Sequence, residues 1–207
     1  MEKDTELLEK VADLFIENGA KSVTMDDIAN DIGISKKTIY EHFQTKSKLI
    51  DACVSMLFEF IYNGICDIRA KRKNPIEELF EIKKFTSIHL KEEKSSPQYQ
   101  LQKYYPKIYE NIKIQQFELI DCCVSENLER GIATGHYRDD LPVPFISRIH
   151  FIGILGTKDQ RFFPPDLYSN QQIMQYFLEY HLRAICTPKG LQTLQDFIKT
   201  NEANTEA

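Results

Sequence analysis

Runs of alternating apolar and polar residues, the mark of a half-buried strand, are missing from the 207-residue chain, so its core has to be built from helices. C-x-x-C and H-E-x-x-H spacings are also missing and the five histidines are scattered, which leaves zinc without a ligand set. So are G-x-S-x-G, phosphate-binding glycine loops and the Glu-x-x-His pairs of a di-iron bundle. The expectation is a protein that is not an enzyme and needs no cofactor. No uninterrupted apolar run approaches the roughly 20 residues that span a bilayer, and the opening "MEKDTELLEK" carries acids rather than an apolar signal core. A cytoplasmic location with no membrane partner is expected.

Cysteine is sparse and odd in number: Cys53, Cys66, Cys122, Cys123 and Cys186 lie in helical patterns, unlike the even framework of a small secreted domain. Adjacent residues on a helix point about 100° apart, and no basic run flanks Cys122 and Cys123 to favour thiolate. Reduced, buried, inert thiols are therefore expected. A basic excess is lacking too: Lys and Arg total 26 against 31 Asp and Glu, a net charge of -5. That excludes indiscriminate nucleic-acid binding and confines any DNA contact to a patch. Such a patch exists between Gly33 and Lys48, where Lys36, Lys37, Lys46 and Lys48 face a single acid, Glu41.

What is present is helical periodicity. Leu7, Leu8, Val11, Leu14 and Phe15 recur at three- and four-residue steps up to Asn18, and Gly19 follows where a cap belongs. Thr24 and Asp27 have capping-box spacing ahead of a stripe of Met25, Ile28, Ala29 and Ile32. Gly33 can take the left-handed conformation that ends a helix, and Ser35 can cap the next one, "KKTIYEHF". There Ile39 and Phe43 point inward, while Lys36, Lys37, Thr38, Tyr40 and His42 form a polar outer face. A long fourth helix is expected from Lys46 to about Arg72, a fifth from Pro75 to about Lys94, a break at "SSPQYQ", and a short sixth before Pro106. Further helices follow over Pro106–Gly131, Pro144–Gly156, Asn170–Cys186 and Gly190–Lys199.

Phe15 and Gly19, then Thr24, Ile28 and Ala29, "GIS" at Gly33 to Ser35, "TIYEHF" at Thr38 to Phe43 and the lysine at Lys46 together resemble the amino-terminal pattern of the TetR family of bacterial transcriptional regulators. The match covers about the first 50 residues, and beyond them the likeness is architectural. Ala20 departs from it, since family members often carry an aromatic residue after the glycine. The resemblance implies an all-α fold of nine or ten helices, with a helix-turn-helix DNA-binding domain over residues 1–46, a regulatory and dimerisation bundle over 47–200 and a frayed tail over 201–207.

The second helix of a helix-turn-helix enters the major groove with its early residues on base edges, so Lys36, Lys37 and Thr38 are the base-reading candidates. Ser35, which caps that helix, is counted with the DNA-binding residues, and Thr24, Tyr40, His42 and Lys46 are the phosphate candidates, Thr24 and Lys46 lying at helix amino termini. The same side chains would equally suit a solvated bundle face. By the resemblance a small-molecule effector would be surrounded by residues such as Phe85, His89, Tyr105, Tyr109, Phe117 and Phe151, which a plain helical core would use as well. A homodimer would be sealed by Phe145, Ile149, Ile152, Gly153, Phe177, Leu178 and Leu182, unless these are internal core. Two reading heads would then meet the half-sites of a palindromic double-stranded operator.

Overall fold

The computed structural model describes residues 2–90 and 97–203. Among them are ten helices and no strand, with one isolated antiparallel bridge between Tyr137 and Cys186. The helices are α1 (Glu2–Asn18), α2 (Met25–Ile32), α3 (Lys36–Phe43), α4 (Lys46–Ala70), α5 (Pro75–His89), α6 (Pro97–Tyr104), α7 (Pro106–Ala133), α8 (Val143–Thr157), α9 (Asn170–Ile185) and α10 (Pro188–Ala203).

Starts and stops follow the expected chemistry. Asn74 accepts from the Ile76 and Glu77 amides with Pro75 at the first helical position, and Ser169 forms a capping box with Gln172 at the start of α9. Three boundaries differ from expectation. Helix α5 stops at His89, so the expected turn to Lys94 lies outside the described residues. Helix α6 takes in Pro97 to Gln100, where a break was expected, because Pro97 suits a first turn. The backbone of residues 201–203 continues α10 instead of fraying, and 204–207 lie outside the described residues.

Two compact units form, and they do not follow a linear division at residue 46. The first takes the described residues of 1–63 and 91–116, and the second those of 64–90 and 117–207. In the first, Val11, Ile28, Ile39, Leu49 and Ile50 form a buried core that Ile108 completes, with Leu101 and Tyr105 packed against it. The sequence gives no sign of this, because bringing Ile108 into the core of Val11 and Leu49 is a tertiary choice. Helix α4 is, by length and composition, long and apolar enough to cross a membrane, contrary to expectation. Asp51 and Glu59 interrupt its apolar run without making it polar on average, and Leu49, Ile50 and Cys53 are spent on the core of the first unit.

The second unit buries Ile76, Leu79, Phe80, Leu128, Leu182, Ile185 and Leu194 together. Within it lies a polar network. The Asn127 amide donates to the Glu78 carboxylate and the Pro75 carbonyl, both at 2.9 Å, and the Tyr137 hydroxyl donates to Asn127 at 3.1 Å. Arg130 stands 2.7 Å from the far Glu78 oxygen, so the buried acid has a cation beside it. Tyr137 lies against Gly131, where an added Cβ would come within 1.9 Å of its ring.

Candidate nucleic-acid interface

The α2–turn–α3 segment is built by caps at both ends of a short loop. Thr24 accepts from the Asp27 amide at 3.1 Å, and the Asp27 carboxylate accepts from the Thr24 amide and hydroxyl, both at 2.8 Å. These bonds, the backbone one first, hold the Asp27 carboxyl below its ordinary pKa. Gly33 ends α2 at φ 75°, its amide donating to the Ala29 carbonyl. Ser35 then caps α3 by accepting from the Thr38 amide at 3.0 Å, and the Ser35 and Thr38 hydroxyls meet at 2.8 Å. With Ile39 buried in the head, α3 is fixed in rotation and Lys36, Lys37, Tyr40 and His42 stand exposed. His42 stays at the surface, its ring 6.1 Å from that of Phe43.

Several lysines of the patch already have partners. Lys36 Nζ donates to Asp26 Oδ2 at 2.7 Å, Lys37 Nζ lies 3.8 Å from Glu41, and Lys48 donates to Gln44. Asp26 raises the pKa of Lys36 through that hydrogen bond. The Lys46 ammonium donates to the Lys21 carbonyl at 3.2 Å and sits 6.0 Å from the Phe15 ring. Partial burial lowers its pKa, with nearby Asp27 opposing. Thr24 likewise uses its hydroxyl within the cap. The first amides of α2 and α3 have no intrahelical acceptor, and these are the donors a phosphate would meet. Sequence reasoning passed over Asp26, which is ten residues from Lys36 and belongs to another helix. It also passed over Thr45, whose hydroxyl accepts from the Lys48 amide at 3.2 Å at the start of α4.

The six aromatic and imidazole candidates for an effector site are divided between the units. Tyr105 packs on the core of the first unit, and Tyr109, in the same unit, has Lys113 5.8 Å from its ring centre. In the second, Phe85 covers Gly64 and lies 4.6 Å from the His89 ring, while Phe117 meets Phe151 edge-on at 5.3 Å. A cleft of about 540 Å³ in the second unit has Cys66, Arg69, Arg72, Glu78, Glu126 and Arg130 among its lining residues and none of those six. Cys53, Cys123 and Cys186 are buried as expected, whereas Cys66 is half-buried and Cys122 is exposed. Arg69 donates to Cys123 Sγ at 3.2 Å, yet burial pushes that thiol up to about 12.

The proposed dimer residues also divide. Phe145, Ile149 and Ile152 project from α8, being 59%, 48% and 58% exposed. Leu178 and Leu182 are corrected: at 4% and 0% exposure they belong to the core of their own chain. Gly153 lets α8 approach α9 within the chain, since an added Cβ would come 2.2 Å from the half-buried Phe177 ring. Helix α9 instead exposes Tyr176 and Tyr180.

A capped helix-turn-helix with a polar, lysine-bearing second helix, carried in an all-helical chain, defines a major-groove DNA-binding protein. Residues 7–53 match the family profile described as bacterial regulatory proteins, tetR family. The chain is 25% identical over 193 residues to the transcriptional repressor KstR2 of Mycolicibacterium smegmatis, covering 89% of this chain and 91% of that protein. It is 27% identical over 195 residues to KstR2 of Mycobacterium tuberculosis, covering 90% and 94%. The fold is shared with the reduced form of NemR from E. coli at a TM-score of 0.72 and 13% identity, over 89% and 98% of the two chains. The chain is a DNA-binding transcriptional regulator whose residues 7–53 match the tetR-family profile, and the two KstR2 proteins it resembles along its length are transcriptional repressors.

Proposed function

We propose that this regulator represses transcription in the cytoplasm by binding a palindromic double-stranded operator as a homodimer and releasing it when a small-molecule effector binds. The observation that carries the reading is α3: one helix, fixed in rotation by Ile39, that leaves Lys36, Lys37 and Thr38 at its amino-terminal end. The apolar side chains exposed on α8, with Tyr176 and Tyr180 on α9, support pairing with a second copy. Effector contacts are assigned to Phe85, His89, Phe117 and Phe151 in the second unit. The mechanism is a population shift. An effector bound better by a conformation that spaces the heads wrongly weakens operator binding, and the operator weakens effector binding by the same coupling free energy.

Selecting bound duplexes from a random library, with purified protein and at stated salt, tests the reading. Enrichment of a palindrome is the expected result. Recovery of no sequence at any salt would overturn it in favour of a helical small-molecule-binding module that reads no operator.

A further inference from the structure

We propose that Asp26 is a positioning residue for recognition: by holding the Lys36 ammonium it turns a general phosphate-seeking cation into a reader of one guanine. The inference rests on the assignment of α3 as the base-reading helix. Asp26 is the second residue of α2 and Lys36 the first of α3, so the contact between them bridges the two helices of the motif at their amino-terminal ends. The separation is 2.7 Å and both side chains are substantially open to solvent. Asp26 takes no part in the cap, which is made by Thr24 and Asp27. Its carboxylate favours the first turn of α2 through the helix dipole but is not needed for the cap, and an acid beside a DNA-facing helix is otherwise unfavourable.

A free lysine on this face would gain most from the nearest phosphate, because counterion release rewards any uncompensated cation regardless of sequence. The pair carries no net charge, so approach to a phosphate brings the carboxylate with it and the reward falls. The ammonium still has donors left: of its three N–H groups one goes to Asp26, and two remain. Guanine presents two adjacent acceptors, O6 and N7, in the major groove. Holding Lys36 from the side of α2 fixes where those two donors point and removes the rotamer freedom with which the side chain would follow the backbone. The carboxylate can only accept, so it also disfavours a base edge that offers acceptors at the place it occupies.

The test uses the full-length protein, the duplex recovered by selection, single-base variants of that duplex, and a shuffled duplex of equal length. Asp26→Asn keeps shape and removes charge. It is expected to tighten binding to the shuffled duplex by about fivefold at low salt and to steepen the salt dependence by about one phosphate contact. Discrimination for guanine at one operator position is expected to fall from about tenfold to about twofold. Asp26→Glu is expected to restore part of that discrimination, and in a Lys36→Met background Asp26→Asn should no longer change it. Unchanged discrimination in Asp26→Asn, while Lys36→Met does alter it, overturns the proposal and leaves α3 as the reading helix. If Lys36→Met leaves every base preference intact, the assignment of Lys36 as a base reader fails and the proposal falls with it. Circular dichroism and thermal unfolding of each variant establish that the head is folded.

Discussion

Single side chains in this protein are assigned by what already holds them. The Thr24 hydroxyl is committed to Asp27, so Thr24→Ala is expected to lower stability by about 1 kcal/mol in thermal unfolding through loss of the capping box. At temperatures where the variant stays folded, operator affinity should change little. His150 and His181 are a second case. Their rings lie 4.5 Å apart, and His150 Nδ1 and His181 Nε2 are buried without a hydrogen-bond partner. Burial lowers the His150 pKa to about 3, with His181 adding to the effect, and lowers that of His181 to about 4. The unfolded chain takes up protons near the ordinary histidine pKa of about 6.5 while the folded chain refuses them. Stability is thus full above that pH and falls below it, by up to roughly 1.4 kcal/mol per pH unit for each histidine. Denaturant titrations from pH 7 to 4 should show this loss, and a His150→Phe, His181→Leu variant should show a flatter acid limb. Sequence hid both the pair and the inward turn of Lys46, since lysine is outward by default and two histidines 31 residues apart meet only in the fold.

At the scale of the helix, much more was legible. Periodicity marked all ten helices of the described residues, and Thr24, Gly33, Ser35 and Pro75 marked helix ends because they act within a few residues of themselves. Which face of an apolar helix turns inward was not legible in α9. Ile173, Leu178, Leu182 and Ile185 line one side and Tyr176 and Tyr180 another, so spacing alone could not tell core from surface. The α8–α9 approach offers a paired test. Gly153→Ala must displace the Phe177 ring and is expected to cost about 1 to 3 kcal/mol. Gly156→Ala meets nothing within 4 Å and should be neutral or slightly stabilising, as judged by denaturant midpoints.

At the scale of the whole molecule, the exposed α8 side chains make oligomeric state and operator affinity move together. Phe145→Asp with Ile149→Asp is expected to shift sedimentation from dimer to monomer and weaken operator binding at least about tenfold, since each half-site contributes. Circular dichroism should be unchanged, because both residues are exposed in the chain itself. The division of the chain into units bears on what can be cut out of it. A fragment of residues 1–53 keeps the whole family match but lacks Leu101, Tyr105 and Ile108, which cover the core beside Val11 and Leu49. It is expected to show shallow, non-cooperative melting where residues 1–116 do not.

That discontinuous head also sets an order of events during synthesis. Chains are made at about 5 to 20 residues per second, and the core that positions α3 is not closed until Ile108 has been added. For some seconds after α3 leaves the ribosome the core of the head lacks its last member. Synonymous codon changes that slow translation between α4 and α7 would prolong that interval, raising the share of chains captured by chaperones without altering a single contact of the finished protein.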